Sequence, residues 1–103
     1  MNKLIRNNKV GVLVSKSYGA GWYSWHHDER LLFEPKIIEM LEADVDYHEI
    51  EMYCKATYGD DIYFGGIYDL HVCWVTVGKQ FKIDEYDGAE TLTVSDQVQW
   101  LTA

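Results

Sequence analysis

The chain has 103 residues, among them four Trp and eight Tyr, and a formal net charge of −8. A balance this acidic argues against a protein that tracks nucleic-acid phosphates or rests on anionic lipid, since both need clustered Lys and Arg. The length suits one domain with one core, and no apolar run approaches the ~20 residues that span a bilayer. Met1 to Asn8 is polar ahead of a short apolar run, so no signal peptide is expected. The expected location is the cytoplasm, where Cys54 and Cys73 stay free thiols.

In chain order, residues 9–15 (KVGVLVS) read as a strand buried on at least one face, with Gly11 marking a close approach. Residues 17–28 set Gly19 and Gly21 among Tyr18, Trp22, Tyr23 and Trp25, then run into His26, His27 and Asp28. This is a loop whose glycines allow positive φ or close approach to a ligand. A dinucleotide fingerprint fails there, because the third Gly is missing and no helix is expected directly after the loop. Pro35 suits the first turn of a helix whose stripe is Ile37, Ile38 and Leu41. Asp46 with Glu49 resembles a capping box for a second helix, with the face Ile50, Tyr53, Cys54 and Thr57 and a stop at Gly59. Residues 60–69 form a short strand or an ordered loop, and the tail 95–103 holds a turn of helix with Val98 and Trp100 on the core.

Residues 70–77, 80–86 and 89–94 are strand text separated by Gly78-Lys79 and Asp87-Gly88. Gly first in a two-residue loop suits a type II′ turn and Asp-Gly a type I′ turn, which predicts a three-stranded antiparallel meander. Its register puts Trp74 opposite Ile83, Ile83 opposite Leu92, and Phe81 opposite Val94. One face is then a core face of Leu70, Val72, Trp74, Phe81, Ile83, Leu92 and Val94. The other, with His71, Cys73, Val75, Lys82 and Tyr86, is solvated or meets a second copy of the chain. The fold class predicted is α+β: an antiparallel meander sheet of about four strands with two short helices packed on one face.

That register also sets Glu85 opposite Glu90, an unfavourable like-charge pair. Either both side chains bend into water at the rim, or the pair receives a cation, an Arg or a ligand donor. In the aromatic loop, Trp22, Tyr23 and Trp25 can stack on a ring and the amides around Gly19 and Gly21 can hold a phosphate; alternatively, some of these rings close the core. His26, His27 and Asp28, with His71 and Cys73, match no zinc spacing, so no metal or other cofactor is expected.

Tyr18-Gly19-Ala20-Gly21-Trp22, Leu31-Leu32-Phe33 ahead of Pro35, Gly65-Gly66 with Asp69-Leu70, Trp74-Val75 ahead of Gly78, and Phe81 to Ile83 followed by Glu85-Tyr86-Asp87-Gly88 with Glu90 span most of the chain. Together they resemble a set of small phage-encoded proteins. That set looks similar to the Thoeris anti-defence proteins, which sequester cyclic ADP-ribose-type signals or other cyclic nucleotides as homo-oligomers. The resemblance implies a protein of the host cytoplasm that binds a nucleotide-like small molecule and is not an enzyme. Its implied ligand residues are Tyr18, Gly19, Gly21, Trp22, Trp25, His26, Arg30, Phe81, Lys82, Glu85 and Glu90. In that reading the aromatic loop and Phe81 stack on adenine, while Arg30, Lys82 and loop amides take phosphates. The alternative is an acidic inhibitor docking on a basic host defence protein such as a nuclease or a CRISPR component. A third is an enzyme with Glu85 and Glu90 as an acid–base pair. Clustering of Arg30 and Lys82 beside the aromatics favours the first; an acidic face far from the loop favours the second.

Overall fold

The computed structural model describes residues 2–19, 21–59 and 64–95. Asn7 and Asn8, both at positive φ, turn strand β1 (Ile5–Arg6) directly back into β2 (Lys9–Ser15) with Arg6 opposite Lys9. Both centres of a type I′ turn need left-handed backbone, which Asn tolerates better than most residues. Four helices follow: α1 (Tyr23–His26), α2 (Glu29–Phe33), α3 (Pro35–Glu42) and α4 (Tyr47–Tyr58). A 3₁₀ turn (Gly65–Asp69) leads into β3 (Leu70–Thr76), and the hairpin β4 (Phe81–Tyr86) and β5 (Ala89–Val94) closes the described chain. The fold is α+β, with antiparallel sheets of order β1-β2-β3 and β4-β5.

Helix ends follow local chemistry. Pro35 opens α3; the Asp46 carboxylate accepts the His48 N–H at 2.8 Å to cap α4, and Gly59 at φ 104° ends it. Glu34, between α2 and α3, accepts the hydroxyls of Tyr53 and Tyr58 and so pins that junction to α4. Burial, reinforced by this carboxylate, holds both hydroxyls above their usual pKa. Two short helices are thereby held by contacts that neither could supply from its own length.

Where the meander was expected, β3 pairs instead with β2, Lys9 opposite Thr76 through Ser15 opposite Leu70. The turn explains the difference. It is closed by the Lys79 N–H on the Thr76 carbonyl at 3.1 Å, so Gly78, at φ 88°, falls third in the turn and not second. Positive φ at the third position alone does not match the twist of a two-residue hairpin, and the chain leaves the sheet. The Asp87-Gly88 turn does have positive φ at both centres, and β4–β5 takes the expected register, Phe81 with Val94, Ile83 with Leu92 and Glu85 with Glu90.

Because the hairpin leaves the sheet, it can cover it. Leu13, Leu70 and Val72 pack with Trp22, Ile37, Ile38, Ile50 and Cys54 on one side of β2-β3. On the other side Val12 and Val75 meet Leu32 and Phe33 from α2, and Phe81, Ile83, Leu92 and Val94 from the hairpin. Val75, expected on a face offered to a second copy, is only 4% exposed under that hairpin. Trp74, expected at the core's centre, is 36% exposed; it lies over Gly11 with the Arg6 guanidinium 5.6 Å from its ring. A Cβ on Gly11 would come within 2.9 Å of Ile38 and 3.3 Å of the Trp74 ring, the close approach its strand position suggested. Of residues 60–69, expected as a short strand or an ordered loop, Gly65–Asp69 form the 3₁₀ turn and residues 60–63 lie outside the described part. Of the tail 95–103, expected to hold a helical turn with Val98 and Trp100 on the core, residues 96–103 lie outside the described part. Among the described residues no helix is long and apolar enough to cross a membrane.

These positions rank the tryptophans. Trp22→Ala is expected to lower the unfolding free energy by about 3–5 kcal/mol, and Trp74→Ala by roughly half as much or less, in urea titrations. Burial pushes the Cys54 thiol up to about 12, so thiol reagents near neutral pH should modify Cys73 and spare Cys54 until the chain is unfolded.

Candidate functional site

The loop between β2 and α2 is shaped by one side chain. Glu90, on β5 and 1% exposed, accepts the Ser15 N–H at 2.8 Å on one oxygen. Its other oxygen accepts the N–H groups of Trp22 (3.1 Å) and Ser24 (2.8 Å) and the Ser24 hydroxyl (2.6 Å). The loop is thus an anion-binding nest, as its glycines and free amides suggested, but the chain supplies the anion. The Trp22 and Ser24 amides are taken and offer nothing to a phosphate. Neither expectation for the carboxylate pair holds at Glu90, which neither bends into water nor receives a cation. An acid–base role is also closed to it, since its oxygens face backbone donors in the interior.

Around this anchor the sequence-predicted residues divide. Trp22 has no exposed surface and donates its indole N–H to the Leu31 carbonyl at 2.8 Å, so it closes the core and presents no face for stacking. Gly21 is buried for space: a Cβ would stand 2.5 Å from the Trp25 ring and 2.7 Å from Ser24 Oγ, so its close approach is to its own loop. Gly19, at φ 96°, donates its N–H to the Asp87 carbonyl at 2.5 Å and zips the loop to the hairpin tip. There Tyr18 meets Tyr86 edge to face, and Glu85 accepts the Gly88 N–H at 2.5 Å and, more loosely, the Trp25 indole N–H at 3.4 Å.

Phe81 and Lys82 lie elsewhere, at the open end of the hairpin. They line an open groove of about 650 Å³ together with Lys3, Lys79, Tyr23 and Phe33, and with one carboxylate, Glu29. Phe81 stands edge-on to Phe33 at 6.2 Å, and the Lys3 ammonium sits 4.6 Å from the Phe33 ring centroid. Lys82 is 3.6 Å from Asp84, both well exposed, an ion pair that binds its lysine weakly. The volume lies in the range of small-molecule sites. Lys3, Lys79 and Phe33 were missed in the sequence because nothing local marks them; they meet only in the folded chain, Lys3 from ahead of β1, Lys79 from the β3–β4 turn and Phe33 from α2.

Arg30 does not join this group. Its guanidinium lies 5.1 Å from the Tyr58 ring centre and pairs with Asp28, whose carboxyl it holds below the usual range. His26 is set against Phe64 at 6.0 Å, and its Nε2 is buried without a hydrogen-bond partner among the described residues. Ser17, Asp69 and His71 form a surface chain, Ser17 Oγ donating to Asp69 at 2.7 Å with His71 Nε2 3.0 Å from the other oxygen. A nucleophile needs the imidazole at its hydroxyl. With the carboxylate between them, the three cannot act as a triad. No group of three or more His, Cys, Asp or Glu among the described residues is arranged to hold a metal ion.

Fold and groove together define a small α+β protein with an aromatic concavity lined by three lysines and one glutamate on an acidic chain. No family model, curated protein or solved structure matches it.

Glu90→Gln keeps the volume but sets an NH₂ group against backbone N–H donors. It is expected to cost about 2–4 kcal/mol and to speed amide exchange at Trp22 and Ser24. Glu85→Gln, at the exposed tip, should leave both readings near wild type.

Proposed function

We propose that the protein is a binding protein, not an enzyme, that sequesters a nucleotide-derived signal of the cyclic ADP-ribose or cyclic oligonucleotide type in the groove at the open end of the hairpin. The observation that carries this reading is the convergence of Lys3, Lys79 and Lys82 on the rings of Phe81, Tyr23 and Phe33, in a chain whose net charge is −8. Ammonium groups beside half-buried rings suit a ligand that joins an aromatic base to phosphates. Phe81 and Tyr23 stack on the base, and the lysines take the phosphates as point charges. The resemblance to phage-encoded anti-defence proteins supports the same ligand class, and it adds a homo-oligomer acting in the host cytoplasm.

Calorimetry with a panel of cyclic nucleotides and cyclic ADP-ribose isomers tests the reading. Stacking is worth about 1–3 kcal/mol per base, so Phe81→Ala should weaken binding about 5- to 150-fold with the fold intact. Lys82→Glu should weaken it as well. If no panel member binds more tightly than about 100 μM, roughly 5.5 kcal/mol, the reading is withdrawn. Light scattering that gives a monomer mass at micromolar concentration would remove the oligomer.

A further inference from the structure

The hairpin tip carries a surface that the groove does not use. Tyr18 is 70% exposed and Tyr86 77%, the two most exposed of the large apolar side chains described. Their rings stand 6.3 Å apart at 84°, two walls of a corner open to solvent, and Trp25, 44% exposed, adds a third ring at the tip. Three acidic residues adjoin these rings on the hairpin. Asp84, Glu85 and Asp87 are all exposed on this hairpin, with Lys82 3.6 Å from Asp84 and Lys16 two residues before Tyr18 in the chain.

The tip is also held in place before any partner arrives. The Gly19 N–H bonds the Asp87 carbonyl, Glu85 accepts the N–H of Gly88, and Glu90 grips the Trp22 and Ser24 amides from beneath. A surface ordered in advance loses little conformational entropy on binding. Exposed tyrosine and tryptophan on such a surface are the residue types that dominate interface energetics.

We propose that this tip is a docking surface for an arginine-rich segment of a partner protein. Charge complementarity selects the occupant: anions are repelled by the three carboxylates, and cations are drawn in. A guanidinium suits the surface better than an ammonium, because it stacks on aromatic faces while forking onto a carboxylate. A pair of exposed rings with carboxylates along the same hairpin exceeds what one small amine can contact, which points to a polypeptide. The surface lies at the other end of β4 from Phe81, roughly 17 Å away at the rise of a strand, so the two sites are separate.

The test is fluorescence anisotropy of labelled nona-arginine and nona-lysine at about 150 mM salt, where surface attraction is screened beyond ~8 Å. Nona-arginine should bind at least about 5-fold more tightly than nona-lysine, and Tyr18→Ala/Tyr86→Ala should weaken it about 10-fold at unchanged net charge. Asp84→Asn/Asp87→Asn, which keeps a residue tolerant of positive φ in the turn, should weaken it similarly; it decides the matter if the tyrosine variant does not fold. Phe81→Ala in the groove should leave peptide binding unchanged, so failure of the groove reading would not touch this one. Equal binding of the two peptides, or no loss in either tip variant, would overturn the proposal.

Discussion

The Glu90 carboxylate is the constraint on which the rest of the arrangement depends. Burying a charge is prohibitive unless its oxygens are hydrogen-bonded, and three backbone N–H groups with one hydroxyl meet that demand. The same contacts satisfy amides at the end of β2 and in the loop that would otherwise be buried without partners. Since Glu90 belongs to β5, one side chain joins the hairpin, the three-stranded sheet and the aromatic loop. It also sets how tightly the loop is wound. Gly21 is the point where winding leaves no room for a Cβ, and Trp22 enters the core immediately after it.

The hairpin so anchored is polar along its length. Lys79 and Lys82 lie at its open end, while Asp84, Glu85 and Asp87 lie at its tip. A net charge of −8 disfavours an anionic ligand at long range. At physiological ionic strength, however, exposed charges more than about 8 Å apart are largely screened. The two ends are therefore screened from one another except where they meet, at the Lys82–Asp84 pair 3.6 Å apart. Charge segregation along six residues of strand lets an acidic chain present both signs.

What the sequence revealed was what neighbouring residues decide. Asp87-Gly88 set the β4–β5 register, Asp46 and Gly59 set the ends of α4, and the Gly19 and Gly21 text announced an anion nest. The nest's occupant was hidden because Glu90 is 66 residues from Ser24 in the chain, and a facing Glu85 made both look like rim charges. Trp74 was misplaced because alternation along one strand cannot tell a centre from an edge once both faces of the sheet are covered. The β3–β4 turn was misread by one residue: Gly78 third in the turn sends the hairpin across the sheet, where Gly78 second would have kept it in plane. From that single shift follow the second core layer, the buried Val75 and the groove itself.

The aromatic loop remains central, though for a different reason than stacking on a ligand. Trp22 and the residues of α1 that follow it go to four destinations. Trp22 fills the core, Tyr23 lines the groove, Ser24 binds Glu90, and Trp25 reaches Glu85 at the tip. One turn of helix permits this, because successive side chains point about 100° apart. A strand would have sent them to two faces only. The groove wall and the tip are thus set by adjacent residues of one turn, and that turn is held from below by a buried carboxylate.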